Sequence, residues 1–338
     1  MRNLVTGGAG FVGANLTAEL LARGEDVVAV DNLSRRGTEH NLRWLRSLGS
    51  PRFTFIHGDI RDARVLAGAA SGVDAVFHLA AQVAVTTSIA DPRLDFDVNA
   101  LGTLNVLEAC RVQTPVPVVI FTSTNKVYGG LEHLEVVDAG DRYIIPALSG
   151  GLDERTPLDF HSPYGCSKGC ADQYIRDYAR IYGVPSVVFR MSCIYGPHQF
   201  GNEDQGWVMH FAASCLKGRP VRVYGDGKQV RDILYVSDLV AAMLRAREAA
   251  PASPGMILNI GGGPGNAVPI HAVLDMASSR GTPPASVEFG PWRSGDQKVY
   301  VSSIARATEV LGWTPQMGVE DGVEAIFRWA EHNLDLFP

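Results

Sequence analysis

No apolar run in this chain approaches eighteen residues, so nothing in it reads as a membrane-spanning helix. Its start enters a strand almost at once, with no charged leader and no apolar leader core, and the cytoplasm is the expected compartment. Cysteine is scarce. The five present (Cys110, Cys166, Cys170, Cys193 and Cys215) contain no Cys-x-x-Cys pair and no regular frame, which argues against structural disulfides and against a zinc site. Cys166 and Cys170 are helical neighbours, but no His or carboxylate is spaced to complete a metal set. All five are read as small apolar or helix-surface residues, and no metal is expected. A basic excess is missing too. With 30 Lys and Arg against 36 Asp and Glu, the formal charge of -6 argues against a general affinity for nucleic acid or anionic membranes. An anionic small ligand would need local positive groups. There is no internal repeat, heptad run or low-complexity tail.

What is present is a chain of 338 residues, 46% apolar, long enough to bury a full core in one large or two moderate domains. Residues 3 to 31 read strand, glycine turn, helix, strand: Asn3-Leu-Val-Thr6, Gly7-Gly-Ala-Gly10-Phe-Val-Gly13, an apolar-periodic run to Ala22, and Asp26-Val-Val-Ala-Val-Asp31. Glycines at 7, 10 and 13 permit a tight turn, admit a pyrophosphate against bare N–H groups at the helix start, and let helix lie close on strand. Asp31, closing the second strand, is placed to accept hydrogen bonds from adenosine ribose hydroxyls. A 2'-phosphate there would meet repulsion, which favours NAD over NADP, although Arg35 and Arg36 follow closely.

The alternation continues through strands at Phe53 to His57, Ala75 to Leu79 (closed by Ala80-Ala81-Gln82) and Pro117 to Thr122, with a helical stretch from about Asp91 to Arg111. Short buried strands separated by helices predict a doubly wound parallel sheet with ligands at the carboxyl ends of the strands. His57 and His78 are read as core residues or neighbours of the site. The run Pro163 to Tyr182 reads as helix, and its Tyr164-Gly-Cys-Ser-Lys168 stacks phenol and ammonium on one face. A neighbouring cation favours phenolate, so Lys168 is expected to draw the Tyr164 pKa down and make the pair an acid/base. Thr124, at the end of Phe121-Thr-Ser-Thr124-Asn-Lys-Val-Tyr128-Gly129, faces the same crevice and is the third member.

Residues 130 to 161, rich in Gly, Pro and Asp, are expected to form a substrate-side flap. A last apolar strand, Ser186 to Arg190, precedes a looser region with glycine clusters at Tyr224-Gly-Asp-Gly227 and Gly261-Gly-Gly-Pro-Gly265. Arg231 and Arg293 are placed in loops there, where guanidinium groups suit bidentate phosphate binding.

Gly7, Gly10, Gly13, Asp31, Asp59-Ile60, Ala80-Ala81, Asn99, Thr124, Tyr128-Gly129, Tyr164-x-x-x-Lys168 and Arg231-Asp232 together resemble the extended short-chain dehydrogenase/reductases, the nucleotide-sugar epimerases and dehydratases. The resemblance runs through essentially the whole chain. Within that family, Ser123-Thr-Asn-Lys-Val-Tyr-Gly129 and Leu158-Asp-Phe-His-Ser-Pro-Tyr-Gly-Cys-Ser-Lys168 look most like CDP-tyvelose (CDP-paratose) 2-epimerases, while Gln199 to Trp207 departs from the expected form in several positions.

The resemblance implies a Rossmann domain over 1–190 carrying the catalytic pair. A smaller α/β substrate domain would occupy mainly 191–338, with segments near 225–265 returning to the first. It implies a tightly held NAD, reduced and reoxidised within one turnover. Tyr164 would take a proton from a sugar hydroxyl, Lys168 would hold the nicotinamide ribose, and Thr124 would hydrogen-bond the reacting oxygen. The cofactor set it implies is Gly7, Gly10, Phe11, Val12, Gly13, Asp31, Asn32, Ser34, Arg35, Asp59, Ile60, Leu79, Ala80, Ala81, Gln82, Asn99, Thr122, Tyr164 and Lys168. The nucleotide-diphosphate sugar would meet Asn125, Lys126, Gln205, Trp207, Arg231 and Arg293. Sugar 4,6-dehydratases carry an acid and a carboxylate where this chain has Asn125 and Lys126, so water elimination is disfavoured and epimerisation is expected. A UDP-hexose 4-epimerase is the alternative enzyme, and a non-catalytic dinucleotide-binding protein the alternative class. Family likeness also implies a homodimer or homotetramer paired through helices near 91–111 and 163–182.

Overall fold

A computed structural model of the chain describes residues 1–293 and 296–337. Ser294 and Gly295, inside the loop that carries Arg293, lie outside the described residues. Contacts divide the chain into two units, Met1–Val127 with Phe160–Arg190 and Val240–Leu258, and Tyr128–Asp159 with Met191–Leu239 and Asn259–Pro338.

The first unit opens with strand β1 (Arg2–Thr6), helix α1 (Phe11–Ala22) and strand β2 (Asp26–Asp31), as the glycine turn dictates. Next come α2 (Thr38–Ser47), β3 (Phe53–His57), α3 (Ala63–Ala69) and β4 (Ala75–His78). Asp62 caps α3 by accepting from the Arg64 N–H. Helices α4 (Val85–Ala90) and α5 (Pro92–Phe96) then lead through one wide turn, Asp97–Leu101, into α6 (Gly102–Arg111) and β5 (Val118–Thr124). The predicted helix over 91–111 is therefore a continuous rod broken by a π-helical turn, a feature that often marks a functional site.

In the second unit's first segment lie β6 (Val137–Asp138) and β7 (Tyr143–Ile144). The first unit resumes with α7 (Ser162–Tyr182), which has proline in its first turn and is ended by Gly183 at φ 67°. Strand β8 (Ser186–Met191) and β9 (Cys193–Tyr195) follow, then α8 (Trp207–Leu216), β10 (Val221–Tyr224), β11 (Val230–Tyr235) and α9 (Val236–Ala249). The chain finishes with β12 (Met256–Ile260), β13 (Ala267–Pro269), α10 (Ile270–Ser279), β14 (Val287–Gly290), β15 (Val299–Tyr300), α11 (Ala305–Leu311) and α12 (Val319–His332).

Seven strands form a parallel sheet in the order β12-β8-β5-β4-β1-β2-β3. The order reverses between β1 and β4, so the glycine turn after β1 and Ala80-Ala81 after β4 leave adjacent carboxyl ends, which is where open α/β sheets bind ligands. Its strands read as near-continuous apolar runs because both faces are covered; Val76, Phe77, Val119, Ile120, Val188 and Phe189 are fully buried. On one face α3, α6 and α7 pack over these strands through Leu66, Leu107, Ala171 and Ile175. Truncating Leu66, Leu107 or Ile175 to alanine costs about 2–5 kcal/mol.

The second unit holds a four-stranded sheet of β13, β11 and β15 with β9 paired to β11, and a parallel pair β10–β14. Its core joins α8, α10 and α12 through Phe211, Leu274, Ile326 and Phe327. One sequence expectation changes here: residues Tyr128–Asp159 belong with the second unit, where the sequence reading counted them in the first domain. The segment that returns to the first unit, Val240–Leu258, lies within the 225–265 stretch expected to do so. The expected flap is anchored: Asn259 Nδ2 donates to Leu152 O at 2.7 Å, Tyr128 donates to Asn259 Oδ1 at 2.7 Å, and Gln297 Nε2 donates to Gly129 O at 2.6 Å.

Candidate active site

The glycine turn is built for close approach. Gly7 sits at φ 70°, and a Cβ there would lie 2.8 Å from Ala80 N. A Cβ on Gly13 would come within van der Waals exclusion of Gly7 O, so α1 rests directly on the turn. No side chain caps the start of α1 at Gly10, which leaves the turn and the N–H groups of Phe11 and Val12 as a ready anion cradle. Asp31, nearly buried, accepts from Ala9 N at 3.1 Å and Leu33 N at 2.8 Å; burial pushes its pKa up and these donors oppose the shift. Asn32 Nδ2 donates to Asp59 Oδ2 at 2.8 Å, Ser34 Oγ donates to Asn32 Oδ1 at 2.7 Å, and the bidentate Arg61 contact holds the Asp59 carboxyl down at about 2. Ile60 packs in the core below.

Across the switch point, the N–H groups of Leu79 and Ala80 meet Thr6 Oγ1 at 3.2 and 3.3 Å, and Gln82 N donates to Asn99 Oδ1 at 2.9 Å. His78 is sealed between Thr6 and Thr103 hydroxyls at 2.8 and 2.9 Å, and burial drops its pKa to about 3, which keeps the ring neutral. Thr122 is buried and donates to His78 O at 3.3 Å. All of these predicted cofactor residues therefore lie in one unit at the carboxyl edge of one sheet.

Strand β5 ends at Thr124, and α7 brings Tyr164 to it, so that the phenol faces the Thr124 hydroxyl. Thr124 also accepts from Lys126 N at 3.2 Å and faces Asn125 Oδ1 at 3.4 Å. Lys168 is 3% exposed, with Nζ 4.2 Å from the centroid of the Phe121 ring. Burial pulls its pKa down to about 7 against the opposing charges of Asp172 and Asp95. The sequence reading has Lys168 drawing the phenol down, and the structure corrects it. The enclosed Tyr164 hydroxyl is raised by burial, the Asp95 charge raises it further, and Thr124 and the Arg35 guanidinium act the other way.

In the second unit, Arg231 is a strand residue of β11 rather than a loop residue, 7% exposed, with Nη2 2.7 Å from Asp296 Oδ1 and Nη1 on Val230 O at 2.8 Å. Arg293 does lie in a loop, its Cζ 3.7 Å from the Tyr224 ring centroid and its Nη2 3.2 Å from Asp204. Gln205 is turned by hydrogen bonds to Asn202, and Trp207 opens α8 with its buried indole N–H lacking an acceptor among the described residues.

Sequence reasoning passed over the buried polar groups beneath the pair: Asp95, Ser123, Ser167, Asp172 and Arg190. One signal was available, since Lys168 and Asp172 are four apart on a predicted helix. Nothing local pointed to Arg190 or Asp95.

The pattern of the NAD dependent epimerase/dehydratase family matches residues 3–261. The chain belongs to this family. It is 42% identical over 97% of its length to a CDP-paratose 2-epimerase of Salmonella typhi, covering 99% of that protein. It is 35% identical to a UDP-glucose 4-epimerase of Mycolicibacterium smegmatis, over 96% of each. The structure matches that of Thermus thermophilus UDP-glucose 4-epimerase in complex with NAD with a TM-score of 0.80 and 34% identity, over 98% of this chain and 99% of that one. The chain is accordingly an NAD-dependent nucleotide-sugar epimerase, and its cofactor is NAD. The residues present fit that cofactor: the uncapped start of α1 and its glycine cradle suit the pyrophosphate, and Asp31 suits an unphosphorylated ribose. Among the described residues no helix is long and apolar enough to cross a membrane.

Proposed function

We propose that this enzyme inverts carbon 2 of a CDP-activated sugar of the tyvelose/paratose type. Support comes from the CDP-paratose 2-epimerase relative, at 42% identity over nearly all of both chains. The observation that carries the chemistry is Thr124 facing Tyr164 beside buried Lys168, with an amide and an amine rather than carboxyls at Asn125 and Lys126. NAD, when bound, supplies the oxidising and reducing equivalent that a reversible alcohol-to-ketone step requires. Tyr164 takes the hydroxyl proton and later returns it, and Thr124 orients the reacting oxygen. Lys168 supplies positive charge under the cofactor ribose. Without an acid and carboxylate pair at 125 and 126, these residues have no means of expelling water, so the ketone is only reduced again, on its other face.

Gly7, Gly10, Phe11, Val12, Gly13, Asp31, Asn32, Ser34, Arg35 and Asp59 are assigned in this reading to the adenosine and pyrophosphate half of the cofactor. Ala80, Ala81, Gln82, Asn99 and Thr122 are assigned to the nicotinamide half. Arg293, held against Tyr224, and Arg231 are assigned to the substrate diphosphate, and Gln205 and Trp207 to its neighbourhood. The assembly is proposed to be a pair of chains joined over the exposed apolar side chains of α4, α5 and α7, where Ile89, Phe96, Tyr174 and Ile181 are 45–65% exposed. The cytoplasmic location expected from the sequence remains part of this proposal.

A UDP-hexose 4-epimerase is the second reading, favoured by the 35% identical relative. Incubation with CDP-, UDP-, GDP- and TDP-sugars, with products identified by proton NMR, decides between them. Inversion at carbon 2 of a CDP-sugar is the expected result; turnover of UDP-hexoses alone, at carbon 4, would establish the second.

A further inference from the structure

Beneath the catalytic pair lies a carboxylate that the proposed chemistry does not use. Asp95 is wholly buried on α5, just before the π-helical turn. Its three partners are neutral: Ser167 Oγ donates to Oδ2 at 2.5 Å, and Gln82 Nε2 and Asn99 Nδ2 donate to Oδ1 at 2.8 and 3.1 Å. No Lys or Arg among the described residues forms an ion pair with it. A buried carboxylate satisfied only by neutral donors still needs a counter-charge nearby, because desolvation of a net charge is expensive.

The charge balance beneath α7 shows which cation supplies it. Asp172, one turn beyond Lys168, is already held by Arg190 through two nitrogens at 2.9 and 3.1 Å and by Ser123 Oγ at 2.9 Å. Two carboxylates and two cations are therefore buried together: both carboxylates act on Lys168, Asp172 the more strongly, but Asp172 is already held by Arg190, which leaves Asp95 as the carboxylate that no other cation balances. Other charged or titratable groups facing this cluster do not take that place. His78 on β4 is neutral, Tyr164 on α7 and Arg35 in the loop after β2 act on each other, and Arg93 on α5 itself reaches Asp97 at 3.4 Å.

The hydrogen bonds add a mechanical link. Ser167 sits between the two catalytic side chains in sequence, and its Oγ contacts Asp95, Asn99 Nδ2 at 3.0 Å and Tyr164 O at 3.2 Å. We propose that Asp95 is the buried counter-charge to the Lys168 ammonium and the anchor that seats the first turns of α7, making it a positioning residue for the Tyr164–Lys168 pair. The proposal rests on those two residues being the acid/base pair, and its charge element is tested without any substrate.

The chain has only five lysines (Lys126, Lys168, Lys217, Lys228 and Lys298), so a protein labelled with ε-13C-lysine gives five assignable resonances. In the NAD-loaded protein, Asp95→Asn and Asp95→Ser should each move the Lys168 titration to lower pH by about half to one unit, with the other four lysines unmoved. Asp95→Glu, which keeps the charge, should leave the Lys168 titration within about 0.3 of the parent, a small fraction of one charge's effect. Ser167→Ala, which keeps the carboxylate and removes a hydrogen bond, should do the same while lowering kcat. A Lys168 curve in the neutral variants superposing on that of the parent would overturn the counter-charge. Where neither neutral variant folds, a Ser167→Ala curve displaced by half a unit or more would overturn it, because the charge would then not be what holds the lysine. Because no sugar is involved, a failure here is distinct from a failure of the proposed substrate.

Discussion

Arg190 grips Asp172 with Nε at 2.9 Å and Nη2 at 3.1 Å, one helical turn beyond Lys168, in a place where both side chains are at most 2% exposed. The pair fastens α7 to β8. Replacing Arg190 with Met would leave the Asp172 carboxylate buried with only Ser123 and Gln173 donating to it. The expected loss is about 3–5 kcal/mol in unfolding free energy, read from urea denaturation. A loss under about 1 kcal/mol would show that the pair is not the fastening.

Tyr164→Phe removes the hydroxyl that faces Thr124 while leaving the ring in place. Turnover should fall about 10²- to 10⁴-fold, the usual worth of a positioned acid/base, with NAD still bound at parent stoichiometry. Near-parental turnover would remove Tyr164 from the mechanism.

Asp232 lies fully buried in the second unit, where its Oδ2 accepts from Gly263 N and Ser302 N at 3.1 Å each, and Ser192 Oγ meets its Oδ1. Burial pushes its pKa up to about 6 despite these donors. A native carboxyl that keeps its proton up to that pH favours the folded state below about 4, and the advantage is lost as pH rises through 6. Asp232→Asn can keep both backbone contacts through its carbonyl. Its amide can donate to Ser192, whose hydroxyl also reaches Asp232 O at 2.8 Å. The variant should be more stable than the parent at pH 7 by as much as about 2–3 kcal/mol, and the difference should shrink toward pH 4. Thermal melts across that window decide; parallel curves would show that Asp232 does not titrate there.

Arg293 is stacked on Tyr224 and touches Asp204, whose side chain is 41% exposed, so it can be removed without orphaning a buried charge. Arg293→Ala should weaken binding of a nucleoside diphosphate by about 10- to 100-fold, with the melting temperature little changed. Unaltered affinity by calorimetry would remove it from the diphosphate site.

Much of this site was legible in the residues. The glycines at 7, 10 and 13, the acid at Asp31 and the Tyr164–Lys168 spacing are signals written within a few residues, because turn geometry and helical period act at short range. The same holds for the apolar strands, whose full burial follows from their unbroken hydrophobicity.

What the sequence by itself determined was the alternation of strands and helices, the glycine cradle and the spacing that stacks Tyr164 and Lys168 on one helix face. The tertiary structure alone decided that Arg231 lies inside a strand paired to Asp296 and that residues 128–159 join the second unit. It also decided that Tyr164 is raised rather than lowered, and that Asp95, Asp172 and Arg190 stand beneath Lys168. These depend on desolvation and on charges brought together from α5, α7 and β8, with Asp95 and Arg190 lying 95 residues apart in the chain. Burial and long-range charge have no local signature, so they appear only once the chain is folded.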